Sequence, residues 1–324
     1  MTAMPSSWRH RFAAGAAVFA LLLFVRCVAA PAKAGPDGHS IEVCGQWFAI
    51  GTRVVSWREP GGYDAYRRGK FFDQSEPPDG KPRYGARGNL PEAIAARSRA
   101  DGLALDDLQQ VVHQFVLHYD VAGTSRQCFK VLQDLRNLSV HFLLDVDGTI
   151  YQTLDLREKA QHATIANDFS VGIEIAHPGA WPQPMNADMA RWYGRDERGW
   201  YMKTPAWMQE TGIRTPGFVA RPDRSEIIAG AVQGKVYHQL DFTPQQYAAL
   251  AKLAAGLARV FPRLRLQAPR DAGGQVQNRA LPEAELRAFD GIVGHFHVQT
   301  NKQDPGPAFQ WERFLREAAA HRSP

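Results

Sequence analysis

The stretch Gly294-His295-Phe296-His297-Val298-Gln299-Thr300-Asn301-Lys302-Gln303-Asp304-Pro305-Gly306-Pro307 puts an imidazole, an ammonium and a carboxylate within ten residues. Lys302 and Asp304 are two apart, so on an extended loop both side chains can point into one cleft. Pro305 and Pro307 stiffen the backbone behind Asp304. A histidine nitrogen with a carboxylate oxygen is two-thirds of a hydrolytic zinc site, and a neighbouring lysine can meet an oxyanion. Read alone, the same residues also describe a loop of solvated charges. The choice depends on what the rest of the chain can bring to them.

Two other segments carry candidates. Val111–Asp120 is a β-rich run ending in His118-Tyr119-Asp120, where a buried strand would reach its loop. His113 and His118 are an odd number apart and point to opposite faces of one strand, and the strand-end position favours His118 for a cleft. In Asn167–Ala176, Val171, Ile173 and Ile175 share one face and leave Glu174 on the other. A carboxylate inside an apolar strand is costly unless it has a partner or lines a polar cleft, and the apolar flanks favour the cleft over an edge strand facing solvent.

The elements that must position these residues alternate from Leu105 onward. Thr124 or Ser125 can cap a helix running to about Asn137, with Phe129, Leu132 and Leu135 on its inner stripe. Ser139–Val146 and Thr149–Leu154 flank Asp147-Gly148, a hairpin signal. His141 lies in its first strand, where a structural and a functional role are both open. His162 follows in a polar loop, Lys159-Ala160-Gln161-His162-Ala163. Thr243-Pro244-Gln245-Gln246 is a capping box with proline at the first helical position, opening an amphipathic helix through Phe261. Residues 291–298 read as a strand and Pro307–Ala320 as a closing helix. The fold class expected is α/β, with a central mixed β-sheet flanked by helices. Its catalytic domain would span 105–324, after an N-terminal β extension over 35–104. Residues 177–236 form an aromatic-rich insertion with Trp181, Trp192, Trp200 and Trp207, which either packs its own small core or offers ring faces as a substrate wall.

At 324 residues and 44% apolar content the chain can bury a sizeable core. Arg9, Arg11, Arg26 and Lys33 account for four of the five net positive charges, so the body of the chain is near neutral and no nucleic-acid partner follows from charge. The same opening segment, 1–34, reads as an export signal: a basic start, the apolar run Phe12–Val25 and a small-x-small Ala32-Lys33-Ala34. The run is shorter than the roughly 20 residues of a membrane span, and no other stretch is long and apolar enough to cross a bilayer. The mature protein is therefore expected in the periplasm or outside the cell, with no stable membrane span. An oxidising compartment would allow Cys44 and Cys128 to pair, although sequence alone does not bring them together.

Taken in order, His118, Ser139-Val140-His141, Asp147-Gly148 with Ile150 and Gln152, His162-Ala163, Asn167 with Ser170-Val171-Gly172-Ile173-Glu174, Gly294-His295 and Lys302-x-Asp304-Pro305-Gly306-Pro307 form a set. That set resembles the zinc-dependent N-acetylmuramoyl-L-alanine amidases of the type-2 amidase and peptidoglycan-recognition superfamily, over roughly 110–177 and 240–318. The resemblance implies one Zn2+ held by His118, His295 and Asp304, with Glu174 and Lys302 catalytic and with His162, His141 and Asn167 near the substrate. It implies hydrolysis of the amide between N-acetylmuramic acid and L-alanine in peptidoglycan or muropeptides. The chain departs from the family at Gln161, where tryptophan is frequent, and at Val121, about where a second cysteine often falls. His297 makes a His-x-His pair that could compete with His295 if both lie on a strand. Two rival readings follow: a peptidoglycan-recognition module that binds without cutting, and a two-metal phosphodiesterase, which would need more carboxylates and histidines than this set supplies.

Overall fold

The computed structural model describes residues 37–73 and 81–322. The export signal expected over 1–34 lies outside the described residues. Among the described residues no helix is long and apolar enough to cross a membrane.

The N-terminal part contributes β1 (Ser40–Val43), β2 (Gln46–Ala49) and β3 (Val54–Ser56). A helix, α1 (Leu105–Val111), then leads into β4 (Gln114–Tyr119), all six of whose residues are buried. Beyond it come α2 (Ser125–Lys130), β5 (Phe142–Leu144), β6 (Ile150–Gln152) and β7 (Ser170–Ile175). A hairpin, β8 (Ile228–Val232) and β9 (Lys235–Gln239), precedes the long helix α3 (Pro244–Val260). The chain closes with β10 (Gly291–Gly294), the single-turn helix α4 (His295–Val298) and α5 (Trp311–Ala320).

Six strands make the central mixed sheet, in the order β10-β4-β7-β5-β6-β3. Only the β5–β6 hairpin is antiparallel; the other neighbours run parallel. The hairpin turns where Asp147-Gly148 predicts, with Gly148 at φ +84 and its N–H bonded to Asp145 O at 3.0 Å. Strand alternation divides the side chains between two layers. Phe115, Leu117, Val171, Ile173, Ile175 and Ile292 pack with α3 and α5 in the larger core. Val116 and Val293 face the other way, onto a smaller cluster with Ala163 and Ala166. His118 and Glu174, an even number from Val116 and Gly172, share this second face. The capping box of α3 is present as read: Thr243 Oγ1 accepts from Gln246 N at 3.1 Å and Gln246 Oε1 accepts from Thr243 N at 2.9 Å.

Three expectations change on contact with the structure. Residues 35–104 are not simply an appendage, because β3 forms the outer strand of the central sheet, paired in parallel with β6. The helix capped by Thr124 becomes a π-helix over Val131–Arg136, and Leu135 ends up 66% exposed. Bonding from i to i+5 widens the turn, so Leu135 no longer lies above Leu132 and Phe129. The strand expected over 291–298 stops at Gly294, and α4 follows. Cys44 and Cys128 are both free thiols. Within the expected insertion, Met189 and Tyr193 pack with Trp181, Trp192 and Trp200, joined by Leu240 just beyond it, in a small core such as the sequence allowed.

Candidate active site

Three parallel strands end side by side, and their carboxyl ends carry the candidate site residues. His118 is the penultimate residue of β4 and Glu174 of β7, and the two are register partners. His295 directly follows β10, which pairs with β4 on its other side. A crevice at the carboxyl ends of parallel strands is where α/β sheets place their ligands. Asp304 returns on the loop after α4, anchored by the bond from Phe296 N to Asp304 O at 3.1 Å.

His118 Nδ1 lies 2.9 Å from His295 Nδ1 and 3.0 Å from Asp304 Oδ2, and His295 Nδ1 lies 2.9 Å from the same oxygen. All three residues are buried. Hydrogen bonds on the far ring nitrogens fix which lone pairs face inward. His295 Nε2 lies 2.8 Å from Gln299 Oε1, an acceptor, so Nε2 carries the proton and Nδ1 is bare. His118 Nε2 lies 3.0 Å from His162 Nδ1, whose Nε2 is 3.4 Å from Ser170 Oγ. With each ring donating along that chain toward Ser170, His118 Nε2 carries its proton and Nδ1 is bare too. Two imidazole lone pairs and a carboxylate oxygen meeting at one point fit a metal ion, with the outer hydrogen bonds that metal-bound histidines use. Among the described residues no other group of three or more His, Cys, Asp or Glu side chains is close enough to share an ion. This suits a single-metal centre rather than the two-metal alternative.

Electrostatics agree with a neutral His118 ring beside one anion. Burial, then the neighbouring His295, holds His118 down to about 4, against the pull of Asp304. Burial would raise the Asp304 carboxyl, but His295 and His118 together hold it below the ordinary carboxylate range. Glu174 moves the other way: burial first, then the charges of Asp304 and Asp120, push it well above its usual value. Its Oε2 is buried without a hydrogen-bond partner. Glu174, Lys302 and the three candidate ligands line one cavity of about 140 Å³, together with His162, Gln161, Asp120 and Arg136.

The remaining predicted site residues sit further back. His162 lies against β7 because residue 172 is glycine; a Cβ there would come within 2.5 Å of the ring. Asn167 Oδ1 accepts from His162 N at 3.1 Å and from Ala163 N at 2.6 Å, and its Nδ2 donates to Gln161 Oε1 at 3.2 Å. It braces the His162 loop and does not line the cavity. His141 is fully buried, with Nε2 3.0 Å from Glu158 O and Nδ1 accepting from Gly172 N at 3.1 Å. The structure therefore places it behind His162, out of reach of a substrate. His297 cannot compete with His295: on a helical turn, residues two apart diverge, and its Nδ1 and Nε2 bond to Gly294 N and Gln277 O.

Sequence reading missed Gln299, Asp120 and Arg136. Gln299 is four residues after His295, the spacing at which helix neighbours meet, but reading 291–298 as a strand hid that signal. Asp120 accepts from Ala122 N, Gly123 N and His177 N at 2.9–3.0 Å, and burial pushes it up to about 7 against those bonds.

What fold and site define together is a mixed α/β sheet with a candidate single-metal centre at its strand ends. The family model described as N-acetylmuramoyl-L-alanine amidase matches residues 108–307, more than half of the chain. The protein belongs to that family. Similar solved structures include AmpD as its selenomethionine derivative (17% identity, 80% of this chain and 97% of that one, TM-score 0.35). They also include AmiD from E. coli in complex with anhydro-N-acetylmuramic acid-L-Ala-D-gamma-Glu-L-Lys (15%, 73% and 66%, 0.36). A third is the amidase LysC from Clostridium intestinale URNW (15%, 65% and 88%, 0.33). At these TM-scores the structural likenesses decide nothing further, and the assignment rests on the family match. Among curated protein sequences none matches this chain.

Proposed function

We propose that this protein is an exported zinc amidase that hydrolyses the amide between N-acetylmuramic acid and L-alanine in peptidoglycan or its muropeptide fragments. The observation that carries the reading is the meeting of His118 Nδ1, His295 Nδ1 and Asp304 Oδ2 within 3.0 Å of one another, beside a buried carboxyl with an unpartnered oxygen. His118, His295 and Asp304 would hold one zinc ion. Zinc bound there supplies Lewis acidity and brings water within reach of deprotonation near neutral pH.

The chain's own residues do the rest. Glu174 Oε2 takes the proton from the attacking water as the carbon–oxygen bond forms. It gives that proton to the alanine nitrogen as the carbon–nitrogen bond breaks. Its raised proton affinity suits a group that must hold a proton between two transfers. Lys302, lining the same cavity, donates to the substrate carbonyl oxygen as negative charge gathers on it. Gln299 and His162 hold the two histidine rings in the tautomer that bares Nδ1. Export to the periplasm or beyond follows from residues 1–34 and puts the enzyme where such a substrate lies.

Mass spectrometry of sacculus digests tests the reading. Wild-type protein should release stem peptides with free L-alanine amino termini. Glu174→Ala, or wild type stripped by a chelator, should release almost none, and added zinc should restore only the stripped wild type. Zinc uptake without any release would favour a recognition module. Equal release by Glu174→Ala would remove Glu174 from the mechanism.

A further inference from the structure

The β8–β9 hairpin, at the end of the expected insertion, touches the 294–308 stretch at three separate points. At its tip, Gln233 Nε2 donates to Phe296 O at 2.8 Å and to Gln299 O at 3.0 Å. The Gln233 Oε1 accepts from Ala280 N at 3.1 Å, and its backbone N–H bonds to Asn278 O at 2.8 Å. The tip thus fixes the turn that carries His295 and the residue that orients its ring. At its base, Gln239 is fully buried. Gln239 Nε2 donates to Pro305 O at 3.1 Å and its Oε1 accepts from Ala308 N at 2.9 Å, on the backbone just after Asp304. Gly306, at φ +88, leaves the space Gln239 fills: a Cβ there would lie 2.2 Å from Gln239 Oε1. Between tip and base, Gly230 lies against Pro307, and a Cβ on it would come within 2.7 Å of the proline ring.

The hairpin is rooted on the opposite side of the site. His238 and Trp181 exchange backbone bonds of 2.7 and 2.9 Å, which tie β9 to the chain leaving β7, the strand of Glu174. The β10–β4 pairing and the bond from Phe296 N to Asp304 O hold the start of this stretch; the hairpin holds the rest of it relative to His118, and small displacements of ligands cost affinity. We infer that the β8–β9 hairpin is the brace that sets the metal-ligand stretch, with Gln233 and Gln239 as its positioning residues and Gly230 as its close-packing point. This rests on the reading of His118, His295 and Asp304 as the zinc site.

Zinc affinity of the full chain, measured by competition with a chromogenic chelator, tests it alongside melting of the metal-free protein. Gln233→Ala, Gln239→Ala and Gly230→Ala should each weaken zinc binding by about 10–100-fold, the usual cost of losing a group that orients ligands. Arg221→Ala is the control: it breaks the Arg221–Asp196 pair elsewhere in the same region and should leave zinc affinity unchanged. Should Gln239→Ala fail to fold, Gln233→Ala at the hairpin tip and Gly230→Ala decide the matter. Variants that bind zinc within twofold of wild type overturn the brace while leaving the zinc site intact. Wild-type protein that takes up no zinc overturns the metal-site reading, and the brace with it.

Discussion

Five histidine side chains in this protein do two kinds of work, separated by what Nδ1 meets. In His141, His177 and His297 it accepts a backbone N–H, from Gly172, Gly179 and Gly294, while Nε2 faces the carbonyl of Glu158, Leu240 or Gln277. Each is a neutral cross-link between backbones, and burial holds them down to about 3, 4 and 4. In His118 and His295 the same atom meets Asp304. Protonating His177 on Nδ1 would break the bond from Gly179. Burial disfavours its charged form and holds its folded pKa at about 4, so the unfolded chain takes up the proton first as pH falls. The stability it contributes is full above about 6.5 and is lost as pH drops toward 4. Denaturant unfolding of wild type and His177→Gln should thus show the variant's deficit shrinking by about 1–3 kcal/mol between pH 7 and pH 4.5. A deficit independent of pH would mean that His177 titrates alike in both states. Sequence marked the reactive residue types and the strand-end placement of His118. It could not separate His141 from His162, because which atoms a ring nitrogen meets depends on chain segments distant in sequence.

At the scale of elements, legibility followed the strength of local signals. The capping box at Thr243 and the Asp147-Gly148 turn are written in adjacent residues, and both stand as read. Leu135 was misplaced because an α-helical stripe assumes 3.6 residues per turn, while Val131–Arg136 widens to a π-turn. That difference can be measured. Leu132 is 8% exposed and Leu135 66%. Leu132→Ala should cost about 2–4 kcal/mol in urea unfolding, as buried leucine truncations do, and Leu135→Ala no more than about 0.5 kcal/mol. Equal costs would restore a regular helix with Leu135 inward. The strand-to-helix switch at His295 was hidden for a related reason: four residues are too few to show a helical period.

For the molecule as a whole, residues far apart in sequence had to be assembled, and pattern reading supplied the alternation of elements without their order in the sheet. The parallel pairing of β10 with β4 brings His295 beside His118, and nothing local in either segment announces it. Nor did the first strands announce that β3, with Val54 2% and Val55 4% exposed, would complete the sheet on its far side. A chain shortened to begin after Trp57 should accordingly melt at a lower temperature than the full chain, and an unchanged melting temperature would make the N-terminal strands dispensable. At the other margin, β10 has, among the described residues, one neighbour, β4. An ion shared by His118 and His295 would rivet that margin shut across a span of 177 residues. Withdrawing it should speed amide exchange at Ile292 and Val293 long before the inner strands β4 and β7 loosen, so the fabric of the sheet would begin to unravel at the seam that holds the proposed site.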